Sequence, residues 1–191
     1  MAAKKRKSPA PDVQARRDRR RIEIDRVGVK DILYPITVLD RRHKTQRTVA
    51  RVGMTVNLPH QFKGTHMSRF VELLNERCQD MSTTAIPDVL LAMKDRLRAR
   101  AAHLEVCFPY FLLKRAPVSG AEGLLAYACT VRGEARRRVA LEIEVQVPIT
   151  ALCPCSKAIS DRGAHSQRGL VTVRYRQRRF VWIEEIIDAV E

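Results

Sequence analysis

Between Ala151 and Gly169 the chain reads ALCPCSKAISDRGAHSQRG, which sets Cys153 and Cys155 with one residue between them and follows them with His165. Thiolate sulfur and imidazole nitrogen are the donors of zinc and ferrous iron sites. The spacing is a poor match to a structural zinc module, which needs Cys-x2-4-Cys and a second ligand pair further on. Cys78, Cys107 and Cys129 fall in helix- or strand-patterned segments and read as small buried hydrophobes. Two or three protein ligands leave coordination positions open for water or substrate, which is what a catalytic centre requires. Lys157, Arg162 and Arg168 add positive charge that favours a thiolate and attracts phosphate. Ser156, Ser160 and Ser166 read as caps or hydrogen-bond donors.

The remaining histidines carry less. His60 and His66 flank a glycine in LPHQFKGTHMSRF, six apart, and so are not the i, i+4 pair of a zincin helix. His66, at a helix start, is the one expected to reach a site; His60 reads as a surface residue. His43 lies in a hairpin turn and is given no role, and His103, at a helix-to-strand junction, reads as structural.

Elements on either side must position this segment. VGVKDILYPITVLD and QRTVARVGMTVNLP are β-branched runs separated by RRHKT, the pattern of a long antiparallel hairpin. Met67, Phe70, Val71, Leu74, Cys78 and Met81 then fall at helical spacing after Gly64 and Thr65. A second helix is expected from about Thr84 to Ala102, with Pro87 in its first turn and Ile86, Leu90, Met93 and Leu97 inward. HLEVCFPYFLLK, LLAYACTVRG and RRVALEIEVQVPI return to strands. In the last, Val139, Leu141, Ile143, Val145, Val147 and Ile149 alternate with Ala140, Glu142, Glu144, Gln146 and Pro148. That period of two marks one buried and one polar face, and it feeds the chain directly into the cysteine segment. GLVTVRYR leaves as another strand, and FVWIEEIIDAVE begins a helix. The order predicts an α+β fold, an antiparallel sheet with helices on one face.

The 191 residues, 45% of them apolar, are enough for one substantial core. No apolar run reaches the roughly 18 to 20 residues of a membrane span, and no secretory signal opens the chain. Five irregularly spaced cysteines argue against a disulfide framework, so a cytoplasmic protein with reduced thiols is expected. The net charge is +15, but residues 1–21 hold nine Lys/Arg against two Asp. They read as a basic, disordered arm, and residues 22–191 as the folded module, only moderately basic. That balance suits a phosphorylated small molecule. A nucleic-acid-binding module using the arm and RYRQRRF is the competing reading. It lacks the aromatic stacking platform of single-strand binders, aromatic content being 5%.

MTVNLPHQFKGTHMSRFVELL together with VPITALCPCSKAISDRGAHSQRG closely resembles the type IB GTP cyclohydrolases, and DVQARRDRRRIEIDRVGVKDILYPI resembles that family's opening. The likeness runs from about Asp12 to the C-terminus. It implies a tunnelling fold, in which antiparallel sheets with paired helices close into barrels across subunits, and a homotetramer with sites at interfaces. It implies hydrolysis of GTP to 7,8-dihydroneopterin triphosphate and formate, the first step toward tetrahydrofolate, with a divalent metal (zinc, manganese or ferrous iron). Carried over by position, Cys153 and His165 match the family's metal-binding and catalytically important cysteine and histidine. Cys155 matches the second cysteine of the motif, its role left open. Lys157 and Arg168 are assigned to the triphosphate from charge alone.

The family's chain continues into a second tandem module, carrying an acidic metal ligand and the glutamate that grips the ring. Neither has a counterpart before Glu191, and Glu184, Glu185 and Glu191 do not match those positions. A truncated, inactive member is therefore the alternative expectation. The nitrile reductases of queuosine synthesis share the fold class but require a cysteine motif absent here.

Overall fold

The structure is a computed structural model describing residues 22–77, 81–116, 118–161 and 165–191. The arm at 1–21, Cys78 and Arg162 lie outside them. Among the described residues six strands form one antiparallel sheet in sequence order: β1 (Ile24–Asp40), β2 (Lys44–Leu58), β3 (Ala102–Arg115), β4 (Glu122–Ala135), β5 (Val139–Leu152) and β6 (Ser166–Arg176). Helices α1 (Met67–Arg77) and α2 (Ile86–Leu97) fill the β2–β3 connection, α3 (Pro154–Ala158) the β5–β6 connection, and α4 (Ile183–Val190) follows β6. The expected α+β class is what the chain adopts.

Alternation sets the two faces of the sheet. Ala50, Val52 and Met54 of β2, Leu104, Val106 and Phe108 of β3, and Ile143, Val145 and Val147 of β5 all point to the side covered by helices. Phe70, Leu74, Ile86, Leu90, Met93 and Ile187 meet them there as one core. Each such side chain contributes about 2 kcal/mol by leaving water. The β1–β2 turn is closed by Asp40, whose Oδ1 accepts hydrogen bonds from the backbone N–H groups of Arg42 (2.8 Å) and His43 (2.6 Å). A short polar side chain next to a turn makes this bond readily.

The helices depart from the expected pattern in two places. On α1 the buried residues are Phe70, Leu73 and Leu74, while Met67 and Val71 are exposed. Met81 is buried, but beyond the helix, where its N–H bonds the carbonyl of Thr37 (3.0 Å). Helix α2 stops at Leu97 rather than near Ala102, because Arg98 turns left-handed (φ 51°) and the N–H groups of Arg98 and Ala99 close on the carbonyls of Asp95 and Lys94. Asn57 Oδ1 then captures the N–H groups of Arg100 (2.8 Å) and Ala101 (2.7 Å), swinging the chain directly into β3. Among the other cysteines, Cys129 is buried as expected, but Cys107 is half-exposed on the opposite face of the sheet.

That opposite face is polar toward the β5 start. Arg132 Nη1 (2.9 Å) and Arg174 Nη2 (2.6 Å) both reach Glu144 Oε2, and Arg132 Nε bonds Glu105 (2.9 Å). Glu144 is 7% exposed, and a buried carboxylate is tolerated only when paired in this way. The hydrogen bonds from Arg132 and then Arg174 hold its carboxyl below the usual range, against the opposing effect of burial. Its stabilisation is therefore complete above the unfolded carboxylate pKa of about 4.3 and is lost as pH falls through its lower folded value. Glu144→Gln is expected to flatten the acid limb of the stability curve, followed as the urea midpoint between neutral and acid pH. An acid limb of unchanged slope contradicts this role for the pair of arginines.

Candidate active site

The register of β5 and β6 runs unbroken from Glu142 opposite Arg176 to Leu152 opposite Ser166. One step further along the same ladder stand Cys153 and His165, joined by a backbone hydrogen bond from Cys153 N–H to the His165 carbonyl (3.3 Å). The thiol and the imidazole, twelve residues apart in sequence, thus begin from adjacent backbone positions at one end of the sheet. The connection between them is not all loop. Pro154 opens α3, as proline does in a first helical turn, and the Lys157 N–H bonds the Cys153 carbonyl (3.1 Å).

Cys153 is half-buried at the start of α3, in extended backbone conformation (φ −68°, ψ 116°). The Ser156 backbone N–H and hydroxyl hold the Cys153 thiol below its ordinary pKa against the opposing effect of burial, with the Cys155 backbone and thiol adding a lesser contribution. Cys155 is exposed, Ser156 half-buried and Lys157 exposed, all on α3. His165 is exposed and Ser166 starts β6. Arg168, also exposed, sits opposite Thr150 on β5, three residues beyond His165. All four sequence-predicted site residues, Cys153, His165, Lys157 and Arg168, therefore lie at this end of the β5–β6 pair.

Cys129, by contrast, is buried in the core, where desolvation and then the nearby Glu184 push its thiol up to about 12. His66 is half-buried at the start of α1, where its carbonyl accepts the Arg69 N–H (3.2 Å), and His60 is exposed. His43 is exposed and leans on Asp40 (Nδ1 to Oδ1 3.3 Å). Glu184, set aside in the sequence, is buried and structural. It accepts hydrogen bonds from the Tyr110 hydroxyl (2.6 Å) and the Arg41 N–H (2.7 Å), pinning α4 to β3 and to the first turn. Its partners lie 74 and 143 positions away, so no local pattern could have announced them.

Among the described residues no group of three or more His, Cys, Asp or Glu side chains is placed to hold one ion. Cys153 and His165 are a two-donor set, one thiolate and one imidazole, which fits a zinc- or iron-type ion with its other positions filled from elsewhere. The contrast between the two thiols is measurable. Iodoacetamide at neutral pH is expected to label Cys153 and leave Cys129 unmodified until the chain is unfolded, read residue by residue by mass spectrometry. Labelling of Cys129 at a rate like that of Cys153 contradicts the assignment.

Residues 10–191 match the sequence profile of the family described as Type I GTP cyclohydrolase folE2. The GTP cyclohydrolase FolE2 of Geobacter sulfurreducens is 54% identical over 181 residues, covering 95% of this chain and 70% of the relative. Its counterpart from Geobacter metallireducens is 52% identical, covering 95% and 69%. That of Magnetococcus marinus is 53% identical over 184 residues, covering 96% and 69%. With a paired cysteine and histidine at the end of its sheet and likeness along nearly its whole length, the chain belongs to the type I GTP cyclohydrolase FolE2 family.

Proposed function

We propose that the chain acts as a GTP cyclohydrolase, converting GTP and water to 7,8-dihydroneopterin triphosphate and formate at the start of tetrahydrofolate synthesis. The observation that carries the reading is the backbone bond that pairs Cys153 with His165 inside the region matched to the family. In this reaction C8 of guanine takes up two waters and departs as formate as its bonds to the two ring nitrogens break, and the freed N7 amine condenses with the rearranged ribose carbonyl, returning one water and closing the dihydropterin ring.

Cys153 and His165 would hold a divalent ion of the zinc, ferrous or manganese class through one sulfur and one nitrogen. A thiolate favours the first two. Such an ion, when bound, supplies Lewis-acid activation of water at neutral pH. The low-lying thiol of Cys153 serves this role because the ligand must be the thiolate, and α3 favours that form before any ion arrives. Imidazole is the side chain best suited to passing protons at neutral pH, so His165 would also be suited to passing protons to the departing nitrogens. Lys157 and Arg168, both exposed beside the pair, hold the triphosphate by charge-assisted hydrogen bonds.

The same reading carries the tunnelling fold and a homotetramer with residues 22–191 as one module of a barrel. What supports it is a sheet whose strands β1 and β6 are edges, with α1, α2 and α4 packed on one face. Leu113 and Leu124 (opposite each other), Leu152 and Leu170 stand exposed on the helix-free face toward the cysteine end. Apolar surface so grouped is normally covered in an assembly. Placement in the cytoplasm is consistent with the four free thiols among the described residues. It is also consistent with there being no described helix long and apolar enough to cross a membrane.

Formate released from GTP labelled at C8 tests the assignment. Cys153→Ala and His165→Ala are each expected to reduce release to background while leaving the thermal midpoint near that of the parent. Release at the parental rate in either variant, with metal content unchanged, removes that residue from the chemistry.

A further inference from the structure

The end of the sheet remote from Cys153 holds a concavity that the cyclohydrolase reading does not use. It is a groove of about 690 Å³ on the helix-free face, and each of the six strands contributes to its lining. Glu142, in its wall, stands ten residues before Leu152 on β5, about 33 Å from the cysteine end at the usual rise per residue. Because residues of both edge strands line it, the sheet curves enough to bring Arg26 and Lys30 of β1 to the same groove as Arg176 of β6.

Charge in and around the groove is unevenly satisfied. Glu105, Glu142 and Glu144 are held by Arg132 and Arg174, and Glu134 is paired with Arg136. Arg26, Lys30 and Arg176 have no ion-pair partner among the described residues. His103 also lines the groove; it is 8% exposed and makes no side-chain hydrogen bond among the described residues. Burial, then the positive charge of Arg26, holds its imidazole below the ordinary histidine range, with Glu134 opposing, so the ring is neutral at pH 7 and has one N–H to donate. The floor between these groups is free of side chain at Gly53, where an added Cβ would find nothing nearer than 3.9 Å.

We propose that this groove binds the oligophosphate of a small-molecule ligand, with Arg26, Lys30 and Arg176 supplying charge from two walls and His103 a hydrogen bond from the floor. Cations on opposite walls suit several linked phosphates better than one carboxylate, and a groove of this volume admits a ligand of nucleotide size. The site does not depend on the GTP chemistry assigned to Cys153 and His165.

Calorimetric titration of the full chain with sodium tripolyphosphate, paired with hydrogen exchange to locate the contact, tests the proposal. Protection over β1 and β3 is expected. It should be lost in the double variant Arg26→Ala/Arg176→Ala, with affinity for this phase about tenfold or more weaker. Lys157→Ala should leave that protection in place. A failure of the cyclohydrolase assay would not alter these results. Protection confined to residues 153–168, unchanged binding in the double variant, or no binding in the parent chain overturns the proposal.

Discussion

The β5–β6 ladder is the constraint on which the candidate site depends. Eleven cross-strand pairs in continuous register carry the chain from Glu142 opposite Arg176 to Leu152 opposite Ser166. Cys153 and His165 follow as the next pair, tied by one further backbone bond. A slip of one residue anywhere along this ladder would turn Val145 and Val147 out of the core and expose them to water. The hydrophobic burial that fixes register in the middle of the sheet therefore also fixes which residues, Cys153 and His165, face each other across the strands at its end. Helix α3 completes the arrangement by turning the chain at Pro154 and directing the Ser156 N–H and hydroxyl toward the Cys153 sulfur.

Around that ladder the two faces of the sheet do different work. One face is a packed layer under α1, α2 and α4, with Tyr110 and Glu184 joining β3 to α4 through a buried hydrogen bond. Desolvation, then that bond, raises the Tyr110 pKa far above its ordinary value, so the phenol stays protonated and keeps donating. The other face is held by Arg132 and Arg174 on Glu144, which fixes β4, β5 and β6 laterally without covering them. Leaving one face open gives the chain both a groove at one end and an apolar band beside the cysteines at the other. Helices α1, α2 and α4 pack on the other face and stay out of the way of both.

Much of this was legible in the sequence, for physical reasons that differ by element. Strand β5 announced itself because six apolar residues at period two can be satisfied only by a half-buried strand, and Ile143, Val145 and Val147 are indeed its buried centre. Cys153 and His165 were found through motif and family likeness, and their cross-strand pairing needed the register. Helix α1 was harder: Met67 and Val71 fit a helical stripe as well as Leu73 does, and only packing chose among them. The end of α2 was hidden because Arg98 adopts a left-handed conformation that glycine or asparagine would ordinarily signal. Glu184 and His103 take their surroundings from strands far away in sequence, so each read as an unremarkable charge or junction residue until the sheet was assembled.

In the site proposed above, Cys153 and His165 act on one ion. Loading the chain with cobalt(II) in place of the native metal and recording its absorption spectrum tests this most directly. A thiolate-to-cobalt charge-transfer band is expected, abolished by Cys153→Ser and altered in the visible ligand-field region by His165→Ala. A band that survives loss of Cys153, or a spectrum indifferent to His165, would mean that the two residues meet at the end of the ladder without sharing a metal.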